Sequence, residues 1–311
     1  VRELEIIERL KRIATAPEAR GLLDDAALLD GLVITHDSIA EGVHFLPTDP
    51  PASVGWKLVA VNLSDLAGKG ATPAGALLSL TIAGEQSWTD AFVSGVEAAC
   101  ESYALPLIGG DTIALPKGAP RVLGMTAIGR AGERVPDRSG AEVGDLLWLV
   151  GSLGDAAAGL GQLRDNPAAA GVLVEAYRRP VPLLVAGRAL APHAHAMMDV
   201  SDGLLLDARR MAEASGCTLS IDLDSLPLSE PFIQTLGDGL DARLFAATGG
   251  DDYALLAALP PELDPASLSL PEGTRIARIG EVEAAEPGLA LTSGGSPVDL
   301  PHRLGFEHGQ T

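Results

Sequence analysis

One stretch limits the possible folds more than any other: Lys57-Leu58-Val59-Ala60-Val61-Asn62-Leu63-Ser64-Asp65-Leu66-Ala67-Gly68-Lys69-Gly70. It reads as a helix stopped by Gly68 and Gly70. At about 100° per residue its apolar side chains go nearly all the way round, so the helix is predicted to be buried. Yet Asn62, Asp65 and Lys69 fall on one side of it. An ionised carboxylate inside a buried helix is costly unless a cation or hydrogen-bond donors meet it. Two explanations fit. Either Lys69 or backbone groups tie off Asp65, or Asp65 faces a metal-filled cleft.

A length of 311 residues suggests two domains of ordinary size. The 22 Lys and Arg stand against 42 Asp and Glu, a formal net charge of -20 that argues against nucleic acid or an anionic membrane as partner. A small phosphorylated ligand is compatible with that charge when divalent cations bridge carboxylate to phosphate. Cys100 and Cys217 stand far apart, outside any Cys-x-x-Cys pattern. That disfavours a disulfide framework or a zinc site and points to reduced thiols. The opening Val1-Arg2-Glu3-Leu4-Glu5 lacks a signal pattern, and no apolar run reaches the roughly 20 residues needed to span a bilayer. A soluble cytoplasmic protein is expected.

Along the chain, strands and helices alternate as in an α/β (α+β) protein. Leu22–Leu29 and Leu32–Asp37, joined by Asp30-Gly31, read as a hairpin that places Asp25 and Asp37 at strand exits. Asp49-Pro50-Pro51 opens the central helix, and Ala74–Ala83 reads as a strand. Ser87 is the predicted cap of a helix through Tyr103. Strand Leu105–Ile108 then ends at Gly109-Gly110-Asp111-Thr112, and strand Arg121–Ile128 follows. The polar stretch Gly129–Gly144 holds the domain boundary, with domains 1–135 and 136–311. Beyond it come strand Asp145–Val150, helical material from Gly154 to Arg178, and strand Met197–Val200. Ser201 caps a helix through Ala214, and strands Thr218–Leu223, Ala254–Leu259, Arg275–Val282 and Leu289–Thr292 complete the prediction.

The chemistry is carried by a series of aspartates at element ends: Asp24, Asp25, Asp37, Asp65, Asp111, Asp199, Asp202, Asp251 and Asp252. Each alone reads as a cap or turn residue. Together they are flanked by Gly, Ser, Thr and apolar residues, with no basic neighbour to neutralise them. Converging carboxylates raise one another's pKa, and a hard cation such as Mg²⁺ removes the conflict. A polynuclear magnesium site for a polyphosphate follows. Ala67-Gly68-Lys69-Gly70-Ala71-Thr72 lacks the leading glycine of a P-loop, and Gly159-Leu160-Gly161 lacks the third glycine of a dinucleotide fingerprint. His193 and His195 have no further metal ligands nearby, and Ser152 and Ser201 show no triad spacing.

The ordered set Asp24-Asp25-Ala26-Ala27, Asp37-Ser38-Ile39-Ala40-Glu41-Gly42-Val43-His44-Phe45, Ala60-Val61-Asn62-Leu63-Ser64-Asp65-Leu66-Ala67, Leu107-Ile108-Gly109-Gly110-Asp111-Thr112, Arg138-Ser139-Gly140-Ala141, Asp199-Val200-Ser201-Asp202-Gly203-Leu204 and Thr248-Gly249-Gly250-Asp251-Asp252-Tyr253 resembles thiamine-monophosphate kinases. That family lies in the aminoimidazole-ribonucleotide-synthetase-like group of ATP-dependent enzymes. The resemblance implies a two-domain fold of that group, with the N-terminal domains of a homodimer sharing a β-barrel. It implies transfer of the γ-phosphoryl of ATP onto thiamine monophosphate, with several Mg²⁺ ions and, as an option, a monovalent cation. Carried over by position, Asp25, Thr35, His36, Asp37, Asp65, Asp111, Asp199 and Asp202 are implied metal ligands. Gly110, Asp111, Arg138 and Ser201 are implied ATP contacts; His44, Asp251 and Phe306 are implied thiamine phosphate contacts. Asp65, Asp202 and Arg138 are the implied catalytic set.

Four positions depart from the family pattern: Leu23 for Gly, His36 for Ser or Thr, Lys69 for an apolar residue, and Asp251 for the longer Glu. The alternatives are a related ATP-dependent synthetase or maturation enzyme, a non-catalytic nucleotide or divalent-cation sensor, or a binding protein whose aspartates are only caps. No reactive Cys stands near the start and the tail Glu307-His308-Gly309-Gln310-Thr311 lacks a Cys, which argues against selenophosphate synthetase and hydrogenase-maturation relatives.

Overall fold

A computed structural model describes residues 3–116 and 118–307, so tail residues 308–311 lie outside the described residues, as do Val1 and Arg2. Helix α1 (Glu3–Leu10) precedes a hairpin of β1 (Ala27–Leu29) and β2 (Leu32–Ala40). The turn needs two left-handed residues, Asp30 at φ 49° and Gly31 at φ 76°, which is why Asp-Gly stands there. The first strand is shorter than the apolar run predicted. Asp24 and Asp25 lie in the loop before it, and Asp37 lies inside β2 rather than at its exit.

Next come α2 (Pro51–Gly68), β3 (Thr72–Ile82), α3 (Gln86–Ser102), β4 (Leu107–Ala114) and β5 (Val122–Arg130). The five strands form one sheet in the order β1-β2-β5-β3-β4, antiparallel except between β3 and β4. Helix α3 starts directly after Glu85, so Ser87 lies inside its first turn and does not cap it. Gly109-Gly110-Asp111-Thr112 continue β4 rather than ending it, and β4 is exposed along its whole length at the sheet edge.

The second half holds β6 (Leu146–Val150), α4 (Asp155–Asp165), α5 (Val172–Arg178), α6 (Leu184–Leu190), β7 (Ala196–Val200), α7 (Leu204–Ser215), β8 (Thr218–Asp222), α8 (Glu230–Leu236), α9 (Leu240–Thr248), β9 (Ala254–Leu259), β10 (Ile276–Glu283), β11 (Gly288–Ser293) and β12 (Ser296–Val298). Its sheet runs β12-β11-β8-β10-β6-β9-β7, and only β8 and β11 pair in parallel. The helix predicted from Gly154 to Arg178 is two helices, parted at 166–171. No helix among the described residues is long and apolar enough to cross a membrane. Cys100 and Cys217 are free thiols.

Helix α2 joins the two halves. Leu58, Leu63 and Leu66 are wholly buried, with α3, β2 and β5 on one side and α5, α6 and β7 on the other. Burying each contributes roughly 1.5–3 kcal/mol. Glycines set the close approach. A Cβ on Gly95 of α3 would fall 1.9 Å from the Ala52 carbonyl oxygen, and one on Gly187 of α6 would fall 2.0 Å from that of Ala67. The polar side of α2 is thereby held at the groove between the halves.

Candidate active site

The groove is a cleft of about 390 Å³ lined by residues of both halves, among them Asp25, Asp37, His44, Asp65, Ser201, Asp202, Arg210, Asp251, Tyr253 and Phe306. On β2, alternation puts Thr35 and Asp37 on one face. Asn62 fixes that strand against α2: its Oδ1 accepts the Asp37 N–H at 2.9 Å while its Nδ2 donates to the Leu58 carbonyl at 2.9 Å. Asp65, one helical turn on, accepts the Thr35 hydroxyl. Asp199 near the end of β7 accepts the Ser64 hydroxyl at 2.6 Å. With Asp25 from the loop before β1, these bring three carboxylates together. Oxygens of Asp25, Asp65 and Asp199 lie within 4.8 Å of one another.

Lys69 does not tie off Asp65. Its ammonium is wholly buried, donates to Asp24 and to the Met197 carbonyl, and lies 3.3 Å from Asp25 Oδ2. Burial alone would raise Asp25, yet Arg138 and Lys69 hold its carboxyl below the ordinary value. The inner carboxylates behave in the opposite way. Burial and the charges of Asp37, Asp199 and Asp25 push Asp65 well up, and Thr35 offsets little of it. Burial and Asp25 push Asp199 up to about 8, and burial, Asp25 and Asp202 push Asp37 up to about 6. Asp25 Oδ2 is met by the Lys69 ammonium as an ion pair at 3.3 Å, without a well-formed hydrogen bond. Buried, mutually repelling carboxylates met only by hydroxyls, as Asp65 and Asp199 are, form the donor set a hard divalent cation satisfies.

At the far wall, Ser201 does not cap α7. The helix begins after Gly203, and the Asp207 carboxylate accepts the N–H groups of Ser201 and Asp202 at 3.1 and 3.0 Å. Arg210 donates to Asp202 at 2.6 Å and to Asp207 at 2.8 Å. Phe306 reaches the cleft because its N–H donates to the Asp202 carbonyl at 2.9 Å, and its ring meets that of His44 edge-on at 6.4 Å. Asp251 faces the cleft, while Asp252 turns to the N-terminus of α4 and accepts from Gly154 and Ala156. Asp251 Oδ2 meets the buried Lys57 ammonium at 2.8 Å, and its Oδ1 accepts the Tyr253 hydroxyl at 3.0 Å.

Some implied residues lie elsewhere. His36 alternates to the other face of β2 and is exposed, its ring nitrogens 2.9 Å from the Thr126 hydroxyl and 3.3 Å from that of Ser38. Gly110 and Asp111 lie on exposed β4, three strand positions from β2, or roughly 14 Å at normal strand spacing. Sequence reading missed Lys57, Asp207 and Arg210. Asp207 and Arg210 carried a signal, an i, i+3 acid–base pair in the helix that follows Ser201-Asp202-Gly203.

Profiles of the AIR synthase related protein match the chain, the N-terminal domain over residues 23–131 and the C-terminal domain over 142–290. Thiamine-monophosphate kinase of Salmonella typhimurium is 37% identical, covering 94% of this chain and 92% of the relative. That of Caulobacter vibrioides is 36% identical, covering 99% and 91%. The solved structure described as AaThiL complexed with AMPPCP and TMP superposes with a TM-score of 0.85 at 31% identity, covering 99% of this chain and 97% of that one. The Escherichia coli hydrogenase maturation protein HypE, at 23% identity, TM-score 0.71 and coverage of 96% and 97%, shares the fold.

Proposed function

From the premise that this chain belongs to the thiamine-monophosphate kinase family of AIR synthase related proteins, we propose how its cleft does that family's chemistry. The enzyme moves the γ-phosphoryl of ATP onto the phosphate of thiamine monophosphate, giving thiamine diphosphate. Supporting this is the likeness to AaThiL, solved with AMPPCP and TMP, together with the convergence of Asp25, Asp65 and Asp199 within 4.8 Å.

Both reactants are anionic, so bringing them together requires cancelling charge. Asp25, Asp37, Asp65, Asp199 and Asp202 would hold Mg²⁺, which when bound supplies charge neutralisation and alignment. Arg138, held on Asp25, supplies a fork-shaped donor for ATP phosphate, and Ser201 lines the cleft as a second ATP contact. His44, Phe306 and Asp251 line the acceptor end, the ring of Phe306 against the thiamine rings and the carboxylate of Asp251 toward their positive charge. A phosphate oxygen of the acceptor is already a nucleophile, so no general base is assigned. Transfer is direct and in line, since phosphoryl transfer asks mainly for positioning and charge stabilisation. ATP labelled in its γ-phosphoryl tests this: the label should pass to thiamine diphosphate with none held on the protein, and a labelled protein would refute direct transfer.

The exposed edge of β4, with Leu107, Ile108 and Ile113 open to solvent, supports a homodimer that pairs this edge and covers Gly110 and Asp111. Ile108→Lys should then shift the species in light scattering from dimer to monomer; an unchanged mass would put the interface elsewhere. An ATP-consuming enzyme with two free thiols fits the cytoplasm.

A further inference from the structure

We propose that the Lys69 ammonium is a resident cation of this cleft: a tethered monovalent charge filling a position between Asp24 and Asp25 that a free ion would otherwise occupy. Lys69 directly follows α2 and has no solvent exposure. Its Nζ donates to Asp24 Oδ1 and, at 3.3 Å, to the Met197 carbonyl, with Asp25 Oδ2 also 3.3 Å away. Two carboxylates and a carbonyl around one positive charge form the oxygen set a hard cation takes. Arg20 holds the second oxygen of Asp24, and Arg138 the second oxygen of Asp25. The Asp24 side chain is 1% exposed and both of its oxygens are already met by side-chain cations, so no mobile ion has a place there.

The cleft is thereby divided. At the Asp24–Asp25 end, charge is balanced by groups of the chain itself. At the other end Asp65 and Asp199 are each met by a hydroxyl, and Asp202 by Arg210. Mobile ions are taken by Asp37, Asp65 and Asp199, with Asp25 at the border. The chain then binds one cation fewer than the same cleft without Lys69.

This inference rests on the reading of the cleft as a cation site, but its test involves no turnover, so a failed kinase assay leaves it standing. Melting is followed in EDTA at equal ionic strength, in tetramethylammonium or potassium chloride. Lys69→Met should melt several degrees lower than wild type in tetramethylammonium and recover most of that difference in potassium chloride, or in magnesium chloride added in excess of the EDTA. Equilibrium dialysis with AMPPCP should find one more Mg²⁺ or monovalent ion per chain in Lys69→Met than in wild type. Asp24→Asn/Lys69→Met, which removes the charge pair together, should regain stability and respond to ions as the wild type does. A Lys69→Met protein that gains no more from added ions than wild type, and binds no more of them, would overturn the inference. If Lys69→Met does not fold, wild type and double variant carry the test, since equal ion responses support it and a larger potassium response of the wild type overturns it.

Discussion

Replacing Asp65 by asparagine keeps the shape of the side chain and removes one charge from the most crowded part of the cleft. Asp65 shares a 4.8 Å cluster with Asp25 and Asp199 and accepts the Thr35 hydroxyl, which the asparagine carbonyl can still do. At an effective dielectric of about 20, two unit charges 4.8 Å apart repel by about 3.5 kcal/mol. Arg138 and Lys69 offset part of the Asp25 charge, leaving on the order of 2–3 kcal/mol for the substitution to relieve. Asp65→Asn is therefore expected to be more stable than wild type in EDTA, the reverse of most buried polar substitutions. With Mg-ATP the order should invert. Wild type gains about 2.7 kcal/mol at 100 times the dissociation constant, while the variant gains little. Turnover should fall about 10³-fold, as expected for a group that organises transition-state charge. Urea unfolding in EDTA and in Mg-ATP, beside a turnover assay, measures all three. A variant less stable in EDTA, or stabilised by Mg-ATP as much as wild type, would refute the placing of Asp65 in a cation cluster.

Asp199, raised to about 8, and Asp37, raised to about 6, hold protons in the metal-free fold that the unfolded chain has released. Metal-free stability should then fall as pH rises from about 4 to 8, and the melting increment given by Mg-ATP should grow over the same window; an increment independent of pH would contradict it. Lys57→Met removes the ammonium that meets Asp251 at 2.8 Å, the His44 carbonyl at 3.0 Å and the Tyr177 ring at 4.1 Å. It should cost about 2–3 kcal/mol and raise KM for thiamine monophosphate about tenfold with KM for ATP unchanged, and equal changes in both would count against it. Gly187→Ala, whose new Cβ would lie 2.0 Å from the Ala67 carbonyl, should destabilise by about 2 kcal/mol or more, whereas Gly161→Ala in α4 meets nothing within 4 Å and should be neutral or stabilising in thermal melts.

Local patterns carried the fold well where one physical constraint dominated. Apolar periodicity identified α2, and the apolar run Ala254–Leu259 matches β9 residue for residue because both faces of that strand are buried. The Asp30-Gly31 turn was legible for the same local reason. Caps were less legible, because Ser, Gly and Asp compete for the same role. Ser87 and Ser201 fit the pattern, but Asp207, six residues beyond Ser201, satisfies the backbone there. The carboxylates of the cleft could be named from their apolar and glycine-rich surroundings. Their neutralising partners could not, because pairing depends on chain folding. Lys57 meets Asp251 across 194 positions, and Lys69 meets Asp24 rather than Asp65, its near neighbour in sequence. His36 followed the family position, and strand alternation carries its side chain to the other face of β2 from Asp37.

Release of ADP from Mg-ATP, followed with thiamine monophosphate beside thiamine and aminoimidazole precursors, tests the central claim most directly. The account predicts ADP with thiamine monophosphate alone, matched one for one by thiamine diphosphate. ADP formed equally with the other acceptors, or ATP bound and never consumed, would contradict it.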